Sequence, residues 1–156
     1  MNYIHEIKYE RHDHYEGLSN MEQQLVMNAQ NAMHNAYAPY SKFKVGAAVL
    51  LSDGSIVRGS NQENMAYPSG LCAERVALFH AGANFSDTEV ESIVIVAEGD
   101  LLKPSEIVSP CGACRQVMLE TQRRQAKPFR VVLVGQKGDV LVFHSAEDLL
   151  PLAFGS

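Results

Sequence analysis

Between Met21 and Ala36, the residues Leu25, Ala29, Ala32, Met33 and Ala36 recur at three- and four-residue spacing, the period of a helix with one apolar face. Ser19 stands at the N-cap position, Glu22 three residues later completes a capping box, and Pro39 is the stop. After the turn Tyr37-Ala-Pro-Tyr-Ser41 the period shortens to that of strands. Phe43 to Leu51 is β-rich, Ser52-Asp53-Gly54 is a hairpin signal, and Ser55 to Ser60 returns as a second strand. A further helix starts at Cys72 and runs through Val76, Leu78 and Phe79 until Gly82. Ser92 to Ala97 is a nearly unbroken β-branched run, the pattern of a strand buried on both faces. The next helix begins near Cys111 and reaches about Gln122. Phe129 to Val134 is another buried strand, Gln136-Lys-Gly-Asp139 turns into Val140 to Phe143, and Ser145 caps a short helix through Leu150. This order predicts an α/β fold, a mixed sheet with helices on both faces.

Residues 1–18 break the pattern. Tyr3, Ile4, Ile7 and Tyr9 suit a short edge strand or a surface arm, and His12 and His14 in their polar stretch read as solvated side chains. The chain therefore divides into an N-terminal extension, residues 1–18, and a single domain, residues 19–156. A length of 156 residues, with 46% apolar and 20% charged positions, is that of one globular domain able to bury a core. The net charge of -5 argues against non-specific nucleic-acid binding, which needs clustered Lys and Arg. No apolar run approaches the roughly 18 residues that span a bilayer, and Met1 to Glu16 lacks the apolar core of a secretory signal.

The 3 cysteines change the picture. They cannot all pair within one chain, and in a reducing cytoplasm they make better sense as metal ligands. All of them lie in two stretches, Cys72-Ala73-Glu74-Arg75 and Pro110-Cys111-Gly112-Ala113-Cys114-Arg115, each at the start of a helix. Cys111 and Cys114, three apart, share a helical face, and free N–H groups at a helix start favour thiolate. Three thiolates hold zinc and leave its fourth tetrahedral position open to water, and Glu74 could move protons to and from that water. Arg75 is the favoured donor to thiolate sulfur, with Arg115 as a second candidate. The competing readings are a closed structural zinc site, for which His80 would have to be the fourth ligand, and a redox Cys111/Cys114 pair, which leaves Cys72 and Glu74 unexplained.

At these residues the chain resembles the zinc-dependent cytidine deaminases of the small homotetrameric class. The resemblance covers Tyr37-Ala-Pro-Tyr-Ser-Lys-Phe-Lys-Val-Gly-Ala-Ala48, Asn61-Gln-Glu-Asn64, Cys72-Ala-Glu-Arg75, Ser109-Pro-Cys-Gly-Ala-Cys-Arg-Gln116 and Leu149-Leu-Pro-Leu-Ala-Phe154. It implies a three-layer α-β-α sandwich around a mixed sheet of about five strands. It also implies hydrolytic deamination of cytidine and 2′-deoxycytidine by zinc-activated hydroxide attack at C4, with one zinc per subunit on Cys72, Cys111 and Cys114. Glu74 would be the proton shuttle. Asn61 and Glu63 would hold the ribose hydroxyls, Phe43 would touch the nucleoside, and the Ala73 backbone would meet the pyrimidine edge. Tyr67 and Phe154 would reach a neighbouring subunit's site in a cytoplasmic homotetramer. Pro68-Ser-Gly-Leu71 departs from the common pattern before Cys72, and residues 1–18 extend beyond the shortest relatives.

Three rivals stand beside this reading. A deaminase of a cytosine-containing antibiotic such as blasticidin, or of a modified nucleoside, would share the zinc stretches but need not keep the Asn61-Gln-Glu-Asn64 signature. A nucleotide or nucleic-acid deaminase would favour His over Cys72 and need a basic phosphate channel. A non-catalytic zinc or nucleoside-binding module would leave Glu74 without a task.

Overall fold

The structure, a computed structural model, describes residues 1–101 and 103–155. Leu102 lies outside the described residues, as does Ser156, which closes the range 19–156 assigned to the single domain. The described elements run in the order β1 (Glu10–His12), α1 (Asn20–Met33), β2 (Lys44–Leu51), β3 (Ile56–Ser60), α2 (Ala73–Asn84), β4 (Val90–Glu98), α3 (Gly112–Arg123), β5 (Arg130–Val134) and β6 (Val140–Phe143). One mixed sheet of six strands has the order β1-β6-β5-β4-β2-β3. Only β4 and β5 are parallel, which requires the α3 crossover between them; the other neighbours are antiparallel.

The continuous apolar runs of β4 and β5 are buried on both faces because alternate residues serve two cores. Ile93, Ile95, Val131, Leu133 and Phe143 pack with Ala77, Leu78 and Met118 under α2 and α3. Val94, Val96, Val132, Val134 and Val142 pack with Leu25, Val26 and Ala29 under α1. The result is the expected three-layer α-β-α sandwich. Each fully buried Ile, Leu or Val contributes about 1.5–3 kcal/mol by leaving water. Two glycines let helices lie directly on the sheet. A Cβ on Gly46 would collide with the Ala29 carbonyl in α1, and one on Gly59 would collide with the Ala73 carbonyl and stand 2.6 Å from the Ala77 nitrogen in α2.

The sixth strand comes from the N-terminal extension. It lies at Glu10–His12, pairing antiparallel with β6, and Tyr3, Ile4, Ile7 and Tyr9 precede it as exposed chain. His12 and His14 are half-buried, not fully solvated: His14 stacks on Tyr15 with ring centroids 4.4 Å apart. Helix α1 has the expected capping box on Ser19 and Glu22 but ends at Met33, short of Ala36. There the N–H groups of Asn35 and Ala36 tighten onto the Ala32 and Met33 carbonyls, and Tyr37 turns away to bridge Gln62. Among the described residues, no helix is long and apolar enough to cross a membrane.

Candidate metal centre

Cys72 and Cys111 are the N-cap residues of α2 and α3, each with extended backbone just before the first turn. An Asp or Ser at such a position would turn its side chain back onto a first-turn N–H. Neither cysteine does so, which leaves both sulfurs free to face outward from the helix mouths. Helices α2 and α3 pack side by side on one face of the sheet, so the two mouths adjoin. Cys114, one turn into α3, is completely buried and completes a triangle. The Cys111 and Cys114 sulfurs are 3.4 Å apart, those of Cys72 and Cys111 3.9 Å, and all ligand atoms of the group lie within 4.8 Å of one another. Tetrahedral zinc with sulfur at ~2.3 Å needs sulfurs roughly 3.8 Å apart, so the donor set fits one zinc ion. His80, the residue that would have closed the site, lies instead against Phe85, with ring centroids 6.3 Å apart.

Electrostatics at the triangle follow from crowding. The Cys72 thiol is held down at about 5, first by the hydrogen bond from Cys114 and then by Arg75 and Cys111. Cys114 is pushed up, because its hydrogen bond to Cys72 favours the thiol form and burial adds to the effect. Arg75 Nη2 donates to Cys72 Sγ at 3.7 Å, as the sequence suggested. Its Nε is buried with no protein partner. Arg115 does not reach a sulfur: it donates to the Pro110 carbonyl, the Ser109 hydroxyl and the Leu149 carbonyl. Glu74, in the first turn of α2, is only 4% exposed. Burial pushes its carboxyl up to about 7, and the Cys72 charge adds to the shift.

Beside the sulfurs opens a cleft of about 480 Å³ whose wall includes Cys72, Arg75, Asn61, Glu63, Tyr67 and Tyr40. Asn61 and Glu63 both reach toward the segment 40–45. The Asn61 amide accepts from the Val45 N–H at 2.8 Å and donates to the Phe43 carbonyl at 2.9 Å, replacing backbone ladder bonds with side-chain ones. Glu63 Oε2 accepts from the Tyr40 and Ser41 N–H groups, and its Oε1 accepts from the Ser41 hydroxyl. The residues expected at the sugar thus also build the wall beside it. Ala73 is fully buried, with its N–H in the first turn of α2, where no helical partner exists. Tyr67 lines the cleft at 91% exposed.

Two expected contacts are not brought to the cleft within one chain. Phe43 is half-buried against Gly99, and Phe154 is 87% exposed, its carbonyl accepting from Gln116 Nε2 at 3.4 Å. Tyr40 and Ser41 were not singled out from sequence, although they stand inside the Tyr37–Ala48 stretch. Their only signal was an aromatic and a hydroxyl just before a strand.

Known proteins resemble this chain in sequence and fold. Residues 19–129 match the family described as the cytidine and deoxycytidylate deaminase zinc-binding region. A cytidine deaminase of Halalkalibacterium halodurans is 42% identical over 132 residues, covering 85% of this chain and 92% of its own length. The crystal structure of cytidine deaminase from Burkholderia pseudomallei superposes with a TM-score of 0.73 at 44% identity, over 85% of this chain and 98% of the other. That of cytidine deaminase from Mycobacterium tuberculosis gives 0.64 at 33% identity, over 86% and 98%.

Proposed function

Because the chain belongs to the cytidine and deoxycytidylate deaminase family, we propose that it is a zinc hydrolase converting cytidine and 2′-deoxycytidine to uridine and 2′-deoxyuridine with release of ammonia. The observation that carries this reading is the triangle of Cys72, Cys111 and Cys114 sulfurs beside the buried Glu74. Held by the three thiolates, zinc supplies the Lewis acidity that makes water a nucleophile near neutral pH. Arg75, donating to Cys72 Sγ, draws charge from that thiolate and so preserves this acidity.

Glu74 is the proton carrier. It takes a proton from the attacking water, places it on N3 of the pyrimidine, and hands a second proton from water to the amine leaving C4. A carboxyl pushed up to about 7 is suited to both halves of this exchange, since it accepts and releases protons near neutrality. Water and cytidine thus become uridine and ammonia with no change in redox state.

The ribose lies against Asn61 and Glu63. Each keeps capacity beyond the wall bonds: Glu63 Oε1 has accepted one hydrogen bond, and the Asn61 amide retains an N–H. A free carboxylate lone pair and a free amide donor suit a sugar hydroxyl. The Ala73 backbone meets the pyrimidine edge, and Phe43 gives an apolar contact to the nucleoside.

The working form is a homotetramer, in which Tyr67 and Phe154 of one chain complete the site of another. Their exposures of 91% and 87%, far above those of core aromatics, support this. Residues 19–156 act as one catalytic domain, and residues 1–18 take no part in the chemistry. The cytoplasm is the compartment, because its reducing poise keeps three thiols available to the metal. The test is direct: zinc-loaded protein is mixed with cytidine, and uridine and ammonia are counted. One ammonia per uridine is expected, and no turnover would overturn the substrate assignment.

A further inference from the structure

The guanidinium of Arg115 is spent on three acceptors from two distant parts of the chain. Its Nε donates to the Pro110 carbonyl at 2.7 Å, its Nη2 to Ser109 Oγ at 2.6 Å and its Nη1 to the Leu149 carbonyl at 2.9 Å. The Pro110 carbonyl belongs to the peptide group that carries the Cys111 nitrogen. Cys111 lacks any capping bond of its own side chain, so the direction of its Cα–Cβ bond depends on how that peptide is held. Arg115 is the group that holds it, and its fixed planar fork sets the peptide's orientation as well as its position.

The third bond reaches the other end of the chain. Leu149 closes a 3₁₀ turn, Ala146–Leu149, the last helix or strand among the described residues. Leu152 takes a left-handed φ of 55° and is fully exposed. The next side-chain bond after Leu149 is the long one from Gln116 to the Phe154 carbonyl, 3.4 Å. Arg115 and Gln116 are adjacent on α3, so a single helical step faces both the metal loop and the tail.

We propose that Arg115 is a positioning residue that locks the loop before the zinc ligand Cys111 to the C-terminal segment, so that the metal centre and the tail carrying Phe154 hold each other in place. The proposal rests on the zinc reading above. A lysine at this position keeps the charge and three donors but gathers them on one nitrogen, so it cannot span acceptors set around a planar guanidinium.

The experiment uses the full zinc-loaded chain carrying Arg115→Lys, with Arg124→Lys, an exposed arginine closing the same helix, as control. Two rates are read: zinc transfer to a chromogenic chelator, and trimming of the C-terminus by carboxypeptidase. Both are expected to rise about tenfold in Arg115→Lys, in line with the usual effect of removing a partner behind a metal ligand, and to stay at the parent's level in the control. With cobalt in place of zinc, the thiolate-to-metal absorption band shifts in Arg115→Lys because the Cys111 sulfur turns. An unchanged zinc rate, an unchanged band, or faster zinc loss with unchanged trimming overturns the proposal. Ser109→Ala removes one acceptor with little risk to folding, and its smaller rise in both rates supports the lock if Arg115→Lys does not fold; no rise overturns it. A parent chain that binds zinc through its cysteines keeps the zinc reading whichever way Arg115 falls. A parent that binds none overturns both.

Discussion

The Ser41 hydroxyl donates to Oε1 of Glu63, while the N–H groups of Tyr40 and Ser41 donate to Oε2 at 2.9 and 3.3 Å. These bonds hold the Glu63 carboxyl below the usual carboxylate range, the Ser41 hydroxyl most of all. Ser41→Ala removes a bond made to the ionised form, so the Glu63 pKa moves up. That shift stays below the limb set by Glu74, whose carboxyl is pushed up to about 7, so the acid limb of kcat/KM is expected to stay in place. KM for cytidine should rise, with kcat nearly unchanged, because the Glu63 carboxylate loses a donor that orients it toward the ribose. Steady-state kinetics of both proteins check this, and an unmoved KM would separate Glu63 from the nucleoside.

Gly59 lets the first turn of α2 rest on β3, and that turn carries Glu74 two residues after the N-cap Cys72. Gly59→Ala would drive a methyl group into the backbone at Ala73 and Ala77. Overpacking of this kind costs about 1–3 kcal/mol. Urea unfolding should show that loss, and the folded fraction should also hold less than one zinc per chain because the helix mouth has shifted.

Strand β1 is tied to the sheet through His144. Its Nε2 lies 2.6 Å from Glu10 Oε1, while Arg130 approaches its Nδ1 at 3.2 Å and bonds Glu22 at 2.9 Å. Because a guanidinium only donates, Nδ1 is the acceptor and Nε2 carries the proton. Removing residues 1–8 should change stability by less than about 0.5 kcal/mol, since these are exposed and unpaired with the sheet. Removing residues 1–13 strips β1 and bares the edge of β6. Lower stability and self-association on a sizing column are expected, and equal behaviour of the two truncations would contradict the role given to β1.

Chelation should abolish turnover without melting the fold. The sulfurs join only the mouths of α2 and α3, whose buried faces are held by Leu78, Met118 and the sheet. Far-ultraviolet circular dichroism is expected to persist in stripped protein, and activity to return in proportion to added zinc.

Much of this was legible in the chain. The capping box of Ser19 and Glu22, the hairpin at Asp53-Gly54 and the doubly buried β4 and β5 follow from local chemistry and period, and all are present. The metal centre was legible because two cysteines three apart and a third at another helix start can meet only if the two mouths adjoin. Other features were hidden for physical reasons. Glu10-Arg-His12 has no strand-forming pattern and becomes a strand only because β6 offers it an edge. The end of α1 at Met33 is decided by a bridge between Tyr37 and Gln62, which no local signal announces. Arg115 sits beside Cys114 in sequence and stood, after Arg75, as a second candidate to reach a sulfur. It turns to oxygens instead, two of them local on Ser109 and Pro110 and the third on Leu149, 34 residues away.

The central claim is that Glu74 carries the protons for a hydrolysis at the three-cysteine site. The measurement that tests it most directly is the ultraviolet change on mixing cytidine with the parent and with Glu74→Gln, both shown to hold one zinc per chain. The parent is expected to convert cytidine to uridine promptly, and the variant to be slower by at least about a hundredfold. Equal rates at equal zinc content would contradict the account.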